Sequence, residues 1–335
     1  MATLDGKYRH LIAWKDLEAP RGLALDYEAG FLFWTDWGHY RKIERAHMDG
    51  ENRQRIVTSN LGWPNGLSLD LKTKRIYWVD AQLKTIDSCD YTGNHRKLIM
   101  SSLQHPYALA LTDTHIYWTD WKSKALHMTD RSNVTDRRDV MTNIDSLMDI
   151  KVISHNATLQ ENVCGLNNGG CSQLCLRNPS GYSCKCSIGL KLRNGSLTEC
   201  EYLPEDYLLI ALRSGIGMIS LRTPDLMDVV LPIRDIRGAV VLDYHYRKHW
   251  LYVADVNLDV IRRINLLNLA DSKVIVSNLQ TPNGLAVDWI ADNLYWSDSD
   301  HKLIEVARFD GSCRKQLITE DIGDPRSIIV HPKKA

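Results

Sequence analysis

Phe33-Trp34-Thr35-Asp36 decides how this chain is read, because the chain keeps rewriting it. The stretch returns as Tyr77-Trp78-Val79-Asp80 and Tyr117-Trp118-Thr119-Asp120. After a cysteine-rich interruption it returns again as Tyr252-Val253-Ala254-Asp255 and Tyr295-Trp296-Ser297-Asp298. Counted Asp to Asp, the spacing is 44 and 40 residues in the first run and 43 in the second. A fixed period in the low forties marks a repeat architecture, and it has to be recognised before any other motif is read.

Each repeat has one internal grammar. A short apolar strand ends in Asp, as in Gly22-Leu-Ala-Leu-Asp26, Gly66-Leu-Ser-Leu-Asp70 and Gly284-Leu-Ala-Val-Asp288. A polar turn and the aromatic strand follow, then an alternating strand such as Lys42-Ile-Glu-Arg-Ala46 or Leu303-Ile-Glu-Val-Ala-Arg308. Asp49-Gly50 and Asp310-Gly311, with Thr92-Gly93 standing in once, give the hairpin signal. Arg55-Ile-Val57, Lys97-Leu-Ile99 or Lys315-Gln-Leu-Ile318 closes the unit. Four short strands per repeat with no helical period predict one propeller blade each, in an all-β chain. A β-sandwich would leave the in-register recurrence unexplained. The large rings are expected in the wedge between sheets. The motif aspartates are expected as buried acceptors of backbone N–H groups, because an unpaired buried carboxylate is costly.

Composition narrows the function classes. The 335 residues carry 41 basic and 41 acidic side chains, which gives no argument for nucleic acid or for a charged membrane surface. No apolar run approaches the ~20 residues of a membrane span, so no direct membrane contact is expected of this segment. The start, Met1-Ala2-Thr3-Leu4-Asp5, lacks a signal peptide's basic and apolar regions. Yet six of the eight cysteines crowd into one window, Cys164, Cys171, Cys175, Cys184, Cys186 and Cys200. Sequons stand at Asn133, Asn156 and Asn194. Together these indicate an extracellular setting and a segment of a longer chain. Spacing alone leaves 15 pairings of six cysteines open. Cys89 and Cys313 are expected as buried free thiols in blade strands.

Residues 147–153 are expected to form another inner strand. Tyr207–Ala211, Gly217–Leu221 and Asp228–Pro232 are expected as three strands without an inner strand of their own. Arg326–Val330 is expected as an inner strand with no blade behind it. Residues 2–26 align without a gap on residues 307–331, matching Asp5/Asp310, Gly6/Gly311, Arg9/Arg314, Pro20/Pro325 and Arg21/Arg326. One long unit of blades plus cysteine module is therefore repeating. The expected domains are 1–155, the back half of one propeller with about three blades; 164–200, the module; and 204–335, the front half of the next. Closure of the two halves into one permuted ring stays open.

Strand alternation puts the loops before the inner strands and the loops after the aromatic strands on one side. That side collects Arg21, Trp37, His39, Trp63, Asn65, His105, Tyr107 and Trp121. Indoles, imidazoles, an amide and a guanidinium are the residue types of protein-binding hot spots. Rings that merely plug a central channel are the structural alternative.

These motifs together resemble the low-density-lipoprotein receptor family, whose six-bladed propellers each precede an epidermal-growth-factor-like module. Asn168-Gly-Gly-Cys171 and the cysteine spacing carry the module's part of that resemblance. Within the family the chain is similar to the arrow-type Wnt co-receptors, first propeller into second, on Trp34-Thr-Asp-Trp-Gly38, Trp63-Pro-Asn-Gly66, Arg222-Thr-Pro-Asp225 and Val260-Ile-Arg-Arg263. The missing Trp in Tyr252-Val-Ala-Asp255 departs from the pattern. The resemblance implies disulfides 164–175, 171–184 and 186–200. Glu161-Asn162-Val163 is a poor match to the calcium-binding version of the module, so no metal is expected, and no cofactor. It implies a receptor ectodomain that binds Wnt proteins and Asn-containing loops of dickkopf- or sclerostin-type antagonists, with Asn65, Trp63, Trp121 and Arg21 holding the loop. It further implies the extracellular part of a single-pass plasma-membrane receptor. Arg237, Pro282-Asn283-Gly284 and Arg326 fall on the equivalent loops of the second half, where a different ligand preference is expected. Two other readings are an endocytic cargo receptor releasing ligand in acid through His39 and His105, and a propeller hydrolase. No ligand cluster for a catalytic metal stands out, so no enzyme is expected.

Overall fold

The computed structural model describes residues 1–6, 8–153, 161–224 and 228–331. The sequon at Asn156 and Asp225 of Arg222-Thr-Pro-Asp225 lie outside the described residues. Hydrogen bonding assembles the strands into antiparallel sheets, each made of sequence neighbours. The first three sheets have four strands each. They are β1 (Pro20–Asp26), β2 (Phe31–Asp36), β3 (Lys42–His47) and β4 (Gln54–Val57); β5 (Pro64–Asp70), β6 (Arg75–Asp80), β7 (Thr85–Asp90) and β8 (Lys97–Met100); and β9 (Pro106–Leu111), β10 (His115–Asp120), β11 (Ala125–Asp130) and β12 (Arg137–Met141). β13 (Leu174–Asn178) and β14 (Gly181–Lys185) form the hairpin of the cysteine module. A three-stranded sheet follows, of β15 (Tyr207–Leu212), β16 (Gly215–Ser220) and β17 (Asp228–Val230). Two more four-stranded sheets end the chain. They are β18 (Ala239–His245), β19 (Trp250–Asp255), β20 (Val260–Asn265) and β21 (Asn268–Val276); and β22 (Pro282–Asp288), β23 (Asn293–Asp298), β24 (Leu303–Arg308) and β25 (Lys315–Ile318). The all-β blade architecture expected from the repeat is what the chain adopts.

Within each unit consecutive sheets pack face to face, and the aromatic strand supplies the filling. Phe33, Ile43 and Val57 of the first sheet meet Leu67, Ile76, Trp78 and Tyr91 of the second. Tyr77, Val79, Ile86 and Met100 of the second meet Leu109, Ile116 and Trp118 of the third. Tyr252, Ile261 and Val276 meet Leu285, Val287, Trp296 and Phe309 in the same way. Removing one such buried indole costs about 3–5 kcal/mol in comparable cores. Two of the buried tryptophans are also clamped at the edge. Trp34 Nε1 donates to Glu44 (3.1 Å) while the Arg53 guanidinium lies over the ring and donates to the same carboxylate. Trp296, Glu305 and Arg314 repeat that clamp. Small residues let the inner strands approach: a Cβ on Gly66 would stand 2.7 Å from Ala108 Cα.

The chain divides into two compact units, Met1–Ser187 with Leu192–Cys200, and Ile188–Lys191 with Glu201–Ala335. Most of the cysteine module therefore groups with the first unit. Its disulfides are Cys164–Cys175, Cys171–Cys184 and Cys186–Cys200, the pairing that the resemblance implies. The hairpin β13–β14 docks on the first sheet. The buried carboxylate of Asp49 accepts from Asn178 Nδ2 (2.9 Å) and Ser183 Oγ (2.7 Å). Lys185 pairs with Glu51 (2.6 Å), and Arg177 lies over the Tyr27 ring and donates to Glu28 O. Gly30, at φ +73°, is required there, since a side chain would run into the Asn178 backbone at 2.5 Å.

Three expectations need correction. Residues 147–153 occupy the place of an inner strand beside β9, but form no ladder: Thr119 Oγ1 donates to Met148 O (2.8 Å) as Thr35 Oγ1 does to Asn65 O (2.7 Å). Residues 325–331 likewise follow β22 without strand pairing, with Ser297 Oγ donating to Arg326 O (2.6 Å). A ladder needs a second strand on the outer edge, and among the described residues neither segment has one. Cys89 is buried in β7, whereas Cys313 is exposed in a turn at φ +56°, not in a strand.

Candidate functional site

The motif aspartates build the loop face. Asp80 accepts the N–H groups of Gly62 (2.7 Å), Trp63 (2.9 Å), Gln82 (3.1 Å) and Leu83 (2.9 Å). One carboxylate thus ties the loop entering the inner strand to the loop leaving the aromatic strand. Asp120 does the same with Gln104, His105, Lys122 and Ser123, and Asp36 with Glu18, Ala19 and Gly38. The aspartates are therefore structural acceptors, and their partners include two candidate ligand residues, Trp63 and His105. Burial alone would raise the Asp36 carboxyl, but the Ala19, Glu18 and Gly38 N–H groups and the Lys42 ammonium outweigh it and hold it below the ordinary carboxylate range.

On this frame the aromatic side chains form one continuous series. The Arg21 guanidinium lies 4.6 Å over the Trp37 ring. Trp37 meets Trp63 edge-on at 5.8 Å, Trp63 meets His105 at 6.1 Å, His105 stacks on Trp121 at 5.5 Å, and Trp121 stacks on Tyr107 at 4.6 Å. Trp63 and Trp121 keep 36% and 41% of their surface exposed, so the rings are presented and not interred. The Trp121 indole N–H is fixed on Leu147 O (2.5 Å).

Asn65 departs from the expectation of an exposed loop residue. It is the second residue of β5, only 7% exposed, and its Nδ2 donates to Pro106 O (3.3 Å). A prolyl carbonyl only accepts, so the amide nitrogen is held inward and Oδ1 is left to accept from outside. Asn65 lies in the wall of a cavity of about 360 Å³ that Arg21, Leu23, Tyr107, Asp149 and Lys151 also line. His39 stands apart from the series: it is exposed and meets the Tyr40 ring edge-on at 4.9 Å. Asp149 and Lys151, an ion pair at 3.1 Å, were not singled out from sequence. The signal was available, because residues 147–153 read as an inner segment, and its third and fifth residues line the same cavity as β5 and β9.

Such a face can do two things. A recessed amide oxygen beside a cation recognises a donor-bearing polar side chain, and the flanking indoles cover an aliphatic neighbour. The repeated carboxylates are occupied by backbone N–H groups.

Four-stranded blades with stapled loops and a docked three-disulfide module define a β-repeat protein, and sequence comparison assigns its class. Residues 30–71, 74–111 and 292–332 match the low-density lipoprotein receptor repeat class B, and residues 164–200 match the Coagulation Factor Xa inhibitory site. The chain belongs to the low-density lipoprotein receptor class B repeat family. Among curated proteins it is similar to human low-density lipoprotein receptor-related protein 5, 42% identical over 298 residues, 88% of this chain and 18% of that protein. The mouse protein of the same name gives the same figures, 42% over 298 residues. It is similar also to human low-density lipoprotein receptor-related protein 4, 43% identical over 212 residues, 63% of this chain and 11% of that protein. The chain thus spans less than a fifth of the length of these relatives.

Proposed function

We propose that this chain is an extracellular ligand-binding segment of a cell-surface receptor of the Wnt co-receptor kind. Its loop face around Asn65 captures Asn-containing loops of secreted antagonists of the dickkopf or sclerostin type, and secreted Wnt proteins dock on the blade faces. The observation that carries this reading is the series Arg21–Trp37–Trp63–His105–Trp121–Tyr107 around a recessed amide whose acceptor is unspent. Side-chain amides pair donor to acceptor with one another, and indoles and arginine anchor interfaces out of proportion to their area. The disulfide-stapled module and the sequons are in keeping with an extracellular place. Binding of a cyclic peptide displaying Asn beside an aliphatic residue tests the site. Asn65→Ala and Trp63→Ala should each lower affinity by roughly tenfold or more, at about 1.4 kcal/mol per tenfold. Affinity unchanged in both variants would remove this face as the ligand site.

A further inference from the structure

The joints between sheets of the first unit use the same positions each time. Ile43 with Val57 and Leu61, and Ile86 with Met100 and Leu103, face the following sheet and are buried. The third sheet carries the same set. β11 pairs Leu126 with Met141 as β7 pairs Ile86 with Met100, and Ile144 N donates to Lys124 O as Leu103 N does to Lys84 O. Here the set lies open: Met141 is 52% exposed where Met100 is 7% and Val57 is 6%. The inner segment 147–153 continues this face. Thr119 Oγ1 donates to Met148 O as Thr35 Oγ1 does to Asn65 O, so Ile150 and Val152 take the places of Leu67 and Leu69. Leu67 and Leu69 pair with Trp78 and Ile76, whereas Ile150 and Val152 have no strand opposite them among the described residues.

The second unit opens with the converse. The sheet of β15, β16 and β17 is a blade without an inner strand, so β15 is a bare edge among the described residues. Tyr207, Leu209 and Ala211 pack with Ile216 on the sheet of β18–β21. Alternation turns Leu208, Ile210 and Leu212 to the other side, where they are 49%, 37% and 37% exposed. β15 pairs Ala211 with the fully buried Ile216 as β6 pairs Val79 with Ile86. On that register Ile210 stands for Trp78 and Leu208 for Ile76, the two partners that Ile150 and Val152 lack. The third sheet thus offers an inner segment and an open face with no sheet to cover them. The sheet of β15–β17 offers an open face of the matching kind and no inner strand. A bare strand edge beside an apolar face is a template for another chain.

We infer that two copies of this chain associate by exchange: the β15–β17 sheet of each docks on the third sheet of the other and takes segment 147–153 as its inner strand. The pairing sets Ile210 opposite Ile150 and Leu208 opposite Val152, and it covers Leu126, Met141 and Ile144 as their counterparts are covered. Reciprocal exchange of one element closes on a two-fold axis and stops at the dimer. None of these residues belongs to the aromatic loop series, so the inference stands apart from the function proposed above. Sedimentation velocity of the full 335-residue chain should show a monomer–dimer equilibrium, with amide exchange in β15 and in residues 147–153 slowing as the dimer forms. Ile210→Lys and Met141→Lys, both at exposed side chains, should each weaken association roughly tenfold or more, because each buries an ammonium group in an apolar joint. Mixing the two variants tests the geometry. Met141→Lys keeps a sound β15 face and Ile210→Lys a sound third sheet, so the mixture should regain a dimer joined on one side. A chain that stays monomeric, whether or not β15 exchanges slowly within the monomer, overturns the inference. So does a dimer indifferent to both substitutions, or a mixture that associates no better than either variant alone.

Discussion

Single side chains set where this fold is tight and where it is strained. Trp78 is fully buried and its Nε1 has no acceptor, because Asp87 stands where the other clamps have Glu44 and Glu305. Arg96 still reaches Asp87 (3.1 Å) and covers the ring, so only the indole bond is lost. Asp87→Glu supplies the missing reach and should stabilise the first unit by about 0.5–1.5 kcal/mol, seen as a higher urea midpoint. An unchanged or lower midpoint would mean that the longer chain disturbs Arg96. The two free thiols should also behave differently. Burial, with Asp90 beside it, pushes the Cys89 thiol up to about 12, while Cys313 is exposed. Maleimide at neutral pH should therefore add once to the native protein, at Cys313; equal labelling of both would contradict the burial of Cys89.

At the scale of strands and sheets, the joints between blades differ in kind. Asp26 at the end of β1 binds Lys74 and Tyr91 of the next blade (both 2.8 Å), and Asp70 at the end of β5 binds Arg131. The same position of β18 is His245, 2% exposed, facing Phe309, with Nε2 unpartnered, Asp292 only at 3.9 Å and the buried Tyr252 hydroxyl unpartnered as well. Burial and the nearby Lys248 lower its pKa below 6.5. Because the unfolded chain then binds the proton more tightly, stability is full above about pH 6.5 and falls as pH drops toward the folded pKa. Unfolding midpoints of the second unit should decline between about pH 7 and 5, and His245→Asn should flatten that decline. A slope unaffected by the substitution would place the titration elsewhere. The module's hairpin makes its own test. Asp49 accepts two bonds from the module, and its carboxyl is held low by Asn178, Ser183 and the Glu51 N–H against the raising effect of burial. Asp49→Ala leaves both donors unmatched and should weaken docking by about 1–3 kcal/mol, read as faster amide exchange in β13–β14 with the disulfides intact. The strand pattern was legible in sequence because apolar alternation and Asp-Gly turns recur in phase. The unpaired state of residues 147–153 was not legible, since pattern specifies a strand's faces and not whether a partner occupies its edge.

Over the whole molecule, a period of some forty residues disclosed the blades, and cysteine spacing disclosed the module. The composition of the loop face was legible too, because alternation decides which loops share a side. The burial of Asn65 was hidden, since the bond from its Nδ2 to Pro106 O joins two blades 41 positions apart. Surface features fit an extracellular chain: Asn133 and Asn194 are exposed, and both should carry glycans in a secretory host, so that Asn133→Gln and Asn194→Gln each remove one endoglycosidase-sensitive mass step. The central claim is that the aromatic loop face meets the ligand. The most direct measurement is the indole N–H spectrum of the full chain during titration with the Asn-and-aliphatic cyclic peptide. Signals of Trp37, Trp63 and Trp121 should move while those of Trp34, Trp78, Trp118 and Trp296, buried between sheets, stay still. Movement confined to Trp289 or to the buried set, with Trp37, Trp63 and Trp121 unmoved at saturation, would contradict it.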